Sequence, residues 1–260
     1  SRLITQDELI FARDIALPHT LERLNRLEVL YLAWAERNQE NARRAHQAIM
    51  GVQNSRKAIG GRYGGLLDPD LLSAKAAAEE SLIRSMKASP EFRGSVAAYD
   101  VIALAQKTFA RNFVEYRIWE SAQAFNSSYF GIARLLLRHA EEKDKPNGER
   151  LREFRDSNKV SLELGLFSEA PIYDDFEMLR LCDALKFAIG KLGYDNELVQ
   201  KVLDGKAPEA RAAELIQGTK LKSVDTRRVF YEMSAEEIEK QNDPMIELAR
   251  LVDSEARSLR

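Results

Sequence analysis

The chain has 260 residues, enough for one large domain or two small ones around a substantial core. Lys and Arg number 39 against 41 Asp and Glu, a net charge of -2, which excludes a nucleic-acid binder built on basic excess. Cys182 is the only cysteine, so an intrachain disulfide is excluded, and the count leaves the redox compartment open.

Helical periodicity begins at once. Leu9, Ile10, Leu17, Leu21, Leu24, Leu27, Leu30, Tyr31 and Trp34 recur at three-and-four spacing and predict helices over 7–17 and 20–38. Thr5 and Glu8 have the spacing of a capping box. Pro18 is expected to break or kink the run, since it lacks an amide hydrogen. A second long helix is expected over 40–59. It is followed by Gly60-Gly61-Arg62-Tyr63-Gly64-Gly65, which reads as a flexible or tight loop. Asp68-Pro69-Asp70 opens a third helix with an alanine-rich body, and Ser89-Pro90 ends it.

From about 95 to 142 there is no proline and one interior glycine, Gly131. One stripe is Ile102, Ala105, Phe109, Phe113, Tyr116 and Trp119, and a second is Phe125, Tyr129, Ile132, Ala133 and Leu136. The pattern predicts one long helix, continuous or bent near Gly131. Lys145-Pro146-Asn147-Gly148 is a turn. Helices then follow at about 148–166, 173–193, 195–204, 208–217, 222–232 and 243–257. Asp195, Asp225 and Asp243 serve as N-caps or first-turn acids. Period-two alternation and fixed-length repeats are absent. The class is all-α, a multi-helix, bundle-like domain with antiparallel neighbours, read as one domain over 1–260.

No apolar run approaches the roughly 20 residues of a spanning helix, and no leader peptide is apparent. The first residue is Ser1 rather than methionine, which suggests a processed protein or an excised piece.

The search for chemistry returns little. Three residues before His19, His46 and His139 stand Ala16, Arg43 and Leu136, so the Glu-x-x-His pair of a di-metal bundle is missing. Three histidines and one cysteine leave little for zinc, and no metal or cofactor is expected. Each histidine reads as structural or solvated. His139, near a helix end, would have its charged form favoured by the dipole. Paired acids at Glu79-Glu80, Glu141-Glu142, Asp174-Asp175 and Glu236-Glu237 point about 100° apart on a helix and read as solvated faces. The glycine run lacks the strand and the Lys-Ser/Thr ending of a phosphate loop. Asn126-Ser127-Ser128 matches a glycosylation sequon but falls mid-helix. No nucleophile elbow is present. The chain holds no complete active site and no catalytic residue of its own.

The segment Gly51-Val52-Gln53-Asn54-Ser55-Arg56-Lys57 stands apart. Three uncharged hydrogen-bonding side chains in a row suit a site that donates and accepts at fixed positions. Spacing alone favours the other reading, in which Asn54 is a helix C-terminal signal feeding a glycine turn.

This segment, with Gly65-Leu66 after its glycines, resembles the helical domain of the bacterial dipeptidyl peptidases of serine peptidase family forty-six, of the seven and eleven type. Ser1-Arg2-Leu3, Ile132-Ala133-Arg134, Arg150-Leu151-Arg152-Glu153-Phe154, Ala170-Pro171-Ile172-Tyr173, Gly218-Thr219-Lys220-Leu221 and Asp243-Pro244-Met245-Ile246 agree with it in order. The resemblance implies a chymotrypsin-like double β-barrel that carries the Ser-His-Asp triad, with this chain inserted as a cap over its cleft. It implies dipeptide release from peptide N-termini and export to the periplasm or cell surface with the signal peptide outside this chain, and it leaves the parent's oligomeric state open, a homodimer among the forms. It implies that the Asn of the Gly-x-x-Asn-Ser-x-Lys segment, Asn54 by position, binds the substrate's α-ammonium. Lys57 and Arg62 are weaker candidates. The expected partners are therefore a peptide N-terminus and the barrel of the same polypeptide. The alternative is a free-standing helical interaction module that uses the aromatic stripe of 95–142.

Overall fold

The computed structural model describes residues 4–260. Ser1-Arg2-Leu3, cited for the resemblance, lie outside the described residues. The described residues are all-α: no strand occurs among them. They fall into two compact units, one ending at Phe113 and one running from Val114 to Arg260.

In the first unit, α1 (Gln6–Phe11) starts on the expected capping box, with Thr5 and Glu8 each accepting from the other's backbone amide. Its first amide, on Gln6, donates to Glu79 of α4 (Pro69–Ala88) at 2.8 Å. The break expected at Pro18 does not occur. A π-helical stretch, Ala12–Ala16, absorbs it, and α2 (Leu17–Ala35) continues without interruption. The widened turn lies just upstream of the residue that lacks an amide hydrogen, where an α-helical ladder would lose a bond. The two predicted helices are therefore one run.

α2 folds back on α3 (Gln39–Leu66) through residues 36–38, with Asn38 capping α3 by accepting from the Asn41 amide at 2.8 Å. Asn41 also donates to the Trp34 carbonyl at 3.1 Å, and Gln53 reaches Glu28, so the two helices are antiparallel. Leu24, Leu27, Tyr31 and Trp34 form the buried stripe of α2, and Ala45 is buried on α3. The far end closes on Ala12, Leu17, Leu66 and Leu72, with Leu9, Ile59 and Tyr63 packed on them.

α3 contradicts the expected glycine loop. Gly60, Gly61, Gly64 and Gly65 are all helical, and the helix ends only at Leu66. A Cβ built on any of these glycines or on Gly51 would meet nothing within 4 Å, so no steric need explains them. Five glycines cost α3 roughly 4–5 kcal/mol of intrinsic helix propensity relative to alanine. Tertiary packing at both ends of the segment overrides that cost.

α5 (Ala97–Ile118) carries the chain from the first unit into the second. Phe109 and Phe113 pack against Phe11 with ring centroids 5.5 and 5.3 Å apart, and His19 meets Phe113 edge-on at 5.4 Å. The expected long helix over 95–142 is two helices. The break lies at 119–127, not at Gly131, which is inside α6 (Ser128–Glu142). Ala122 takes a left-handed φ of 55°, and the Gln123 and Ala124 amides return to the carbonyls of Arg117 and Ile118 at 3.1 Å each. The reversal buries Trp119, Ala124 and Phe125, so the apolar stripes extend through a turn.

The second unit has the larger core. α6 contributes Phe130, Ala133, Leu136, Leu137 and Ala140, and packs on α13 (Pro244–Ser258), which contributes Ile246, Ala249, Val252 and Ala256. α8 (Asp174–Leu192) packs on α10 (Pro208–Gly218). Asp243 caps α13 as expected and also accepts from Thr219 and the Lys220 amide. α9 (Glu197–Leu203) is capped by Asn196 rather than Asp195, and α11 (Val224–Glu232) by Ser223, with Asp225 in its first turn. The helix expected over 148–166 is only α7 (Lys159–Leu166), preceded by two short 3-10 turns at Arg152–Phe154 and Asp156–Asn158. One short helix, α12 (Ala235–Glu239), was not anticipated.

Candidate substrate-recognition face

Asn54 lies in the middle of α3, exposed to solvent, and its side chain has no hydrogen-bond partner among the described residues. It is not a helix C-terminal signal, because α3 continues for three more turns. Two nearby side chains, Gln53 and Arg56, both reach Glu28. Gln53 Nε2 donates to Glu28 Oε1 at 3.1 Å, and Arg56 Nε pairs with Glu28 Oε2 at 2.5 Å. The second approach is ionic, because Arg56 Nε has no aligned acceptor. Residues 53 and 56 share the face turned to α2, and Asn54, about 100° further round, points away from it.

Positions 47, 50, 51, 58, 61 and 65 share Asn54's face at helical spacing. They are Gln47, Met50, Gly51, Ala58, Gly61 and Gly65, all exposed. Four have a methyl group or nothing as a side chain. The result is a strip about 27 Å long, low in relief toward Gly65, with Asn54 and Lys57 standing near its centre. Backbone of another chain can approach such a strip closely. A carboxamide there offers one acceptor and two donors with no net charge. Lys57, three residues beyond Asn54, is exposed on the same face, and Arg62 is exposed about 80° round from it.

The remaining candidates are accounted for locally. His19 is buried against Phe113, and His46 is exposed. His139 reverses its expectation. Its ring stacks on Tyr231 at 4.0 Å and 5°, and burial, with Lys143, Lys159 and Arg150 nearby, lowers its pKa to about 4. Desolvation and three cations outweigh the helix dipole, so the neutral ring is favoured. A cavity of about 370 Å³ opens beside it, walled by Lys143, Arg150, Phe154, Lys159 and Tyr231. Lys143 there donates to the carbonyls of Glu232 and Met233 at 2.7 and 2.8 Å, and Arg150 donates to Asp156 at 2.9 Å.

The sequon residues lie at the start of α6 rather than mid-helix. Asn126 accepts from Arg180 at 2.9 Å, while Ser127 and Ser128 donate to buried Glu177, with the Ser128 amide at 2.6 Å. Cys182 is half-buried, and burial pushes its thiol pKa up, away from the reactive thiolate. Among the described residues no group of three or more His, Cys, Asp or Glu is placed to hold a metal. No helix among them is long and apolar enough to cross a membrane.

The profile of the peptidase S46 family covers residues 1–260, and the chain belongs to that family. It is a family of serine peptidases, hydrolases whose substrates are peptides. No curated protein matched the chain. Of the residues that support the strip, the Glu28 contact was missed from the sequence. Its partners are 25 residues apart for Gln53, and nothing marks them until the register of α2 on α3 is known.

Proposed function

We propose that this chain is the helical cap of an exported serine-type dipeptidyl aminopeptidase, and that Asn54 accepts a hydrogen bond from the substrate's α-ammonium. The observation that carries this reading is the exposed carboxamide of Asn54, unspent on an open strip while Gln53 and Arg56 beside it are pinned. An exopeptidase must hold the free N-terminus and stop the chain from sliding through. A neutral acceptor does the first without the cost of burying another charge. The Ser-His-Asp triad, and an acid to complete the ammonium site, come from a chymotrypsin-like barrel of the same polypeptide, in the periplasm or at the cell surface.

A second reading, a free-standing interaction module, is favoured by one feature. Val101 and Leu104 on α5 are 65% and 68% exposed, with Ile102 and Phe109 partly exposed beside them.

The test compares dipeptide release from dipeptidyl fluorogenic substrates by the full-length polypeptide, its Asn54→Ala variant and this chain alone. Loss of one hydrogen bond to a charged group predicts a roughly ten- to hundredfold fall in kcat/KM for Asn54→Ala. Reaction of the triad with a small covalent inhibitor should stay unchanged, and the chain alone should be inert. Equal loss of both activities would remove the role of Asn54. An inert full-length protein, or an active isolated chain, would favour the interaction module.

A further inference from the structure

We propose that Glu28 is a positioning residue for the recognition strip: it fixes the rotation of α3 and so aims the Asn54 carboxamide. The inference rests on the reading of Asn54 as the ammonium contact.

α3 packs extensively on α2, but with little full burial along its middle. Between Ala45 and Leu66 none of its side chains is fully buried, and five glycines lower its helix propensity. Segment 53–56 lies between Gly51 and the glycine cluster that begins at Gly60. The Glu28 carboxylate, on α2 and only 15% exposed, holds that segment at two points. Oε1 takes Gln53 and Oε2 takes Arg56, three residues apart on one face. A single contact would act as a pivot, whereas two oxygens gripping two side chains resist turning about the helix axis.

Rotation matters because Asn54 projects sideways. With its carboxamide some 5–6 Å from the axis, a turn of about 20° carries it about 2 Å. Displacements of that size at a binding contact cost one to two orders of magnitude in rate.

The experiment uses the full-length polypeptide and measures kcat and KM on dipeptidyl fluorogenic substrates, inactivation by a small serine-directed inhibitor, and Tm. Glu28→Gln keeps the shape and the acceptor for Gln53 but removes the ion pair. Arg56→Met breaks the same pair from the α3 side, so the test survives if one variant folds badly. Each is expected to lower kcat/KM about tenfold, mainly through KM, with the inhibitor rate unchanged. In an Asn54→Ala background the same substitutions are expected to cost less than about twofold, while any fall in Tm persists. An equal loss in both backgrounds would overturn the proposal, because Glu28 would then act independently of Asn54. So would wild-type kinetics for both variants. If Asn54→Ala alone keeps the wild-type rate, the reading of Asn54 fails first and takes this inference with it, an outcome visible in that single variant.

Discussion

The two units treat their charges in opposite ways. In the second, Arg138 is buried and donates to Glu120 at 2.6 Å and Asp253 at 2.7 Å. Arg257 also pairs with Asp253, and Arg260 joins Glu120 to Glu153. Burial pushes the Glu120 carboxyl up, but Arg138 and Arg260 outweigh it and hold the pKa below the usual carboxylate range. In the first unit the comparable cluster, Glu40 with Arg43 and Arg44 at 2.7 and 2.8 Å, lies at the surface. Glu28 with Arg56 is its part-buried exception. A buried network must be complete to be tolerated, whereas a surface pair contributes little and can be rearranged. The buried network therefore stiffens the second unit, whereas the ion pairs named in the first lie nearer its surface.

Each unit holds one of the chain's two tryptophans, Trp34 in the first and Trp119 in the second, both buried. Single Trp→Phe variants therefore give separate unfolding signals for the two units. Arg138→Met should have the largest effect, because it leaves the buried Glu120 and Asp253 each with one outer arginine only, Arg260 and Arg257: up to roughly 3–5 kcal/mol, seen by urea unfolding in the Trp119 signal. An equal shift in the Trp34 signal would mean that the units unfold together and would break the comparison.

His139 gives the next effect. Its folded pKa of about 4 is below the unfolded value near 6.5, so the unfolded chain binds the extra proton first as pH falls. The contribution of the neutral ring is complete above about pH 6.5 and is lost as pH falls from there toward 4, on the order of 2–3 kcal/mol. His139→Phe should keep the stack on Tyr231 and flatten that part of the Trp119 pH profile. Parallel profiles for the two proteins would refute the assignment.

The smallest effect belongs to α3. Gly60→Ala and Gly64→Ala, where a Cβ meets nothing within 4 Å, should each stabilise the Trp34 transition by about 0.5–1 kcal/mol. Destabilisation would show that the glycines are needed for packing and would sharpen the contrast in the opposite direction.

Much of the fold was legible from local chemistry. The capping box at Thr5 and the proline-led starts at Asp68-Pro69 and Asp243-Pro244 lie where their side chains predict. Two causes account for the failures: tertiary contacts distant in sequence, and local caps overshadowed by longer apolar patterns. Asn126-Ser127-Ser128 interrupts an apolar stripe, and Ser127 is an N-cap residue type, so the start of α6 was readable in principle. The buried acid that completes it, Glu177, was not, being 50 residues away from Ser127. Ser234 and Glu237 had the capping-box spacing of α12 in plain view. Helical glycines at 60–65 ran against propensity and could not be foreseen. As for the site, Asn54 came from family resemblance, since its spacing favoured a turn; only the helix through Leu66 shows it exposed on a continuous face.

The buried Arg138 network also sets a clock. Arg138 and Asp253 are 115 residues apart in the chain, whereas Gln53 and Glu28 are separated by 25. At about 5–20 residues per second of synthesis, Asp253 is made roughly ten seconds after Arg138. Through that interval the cation and the apolar face of α6 wait without the partners supplied by α13, while the α2–α3 hairpin already has all it needs to close. The second unit is thus the one whose birth calls for shelter from aggregation, and the rigidity of the finished unit follows a vulnerable delay.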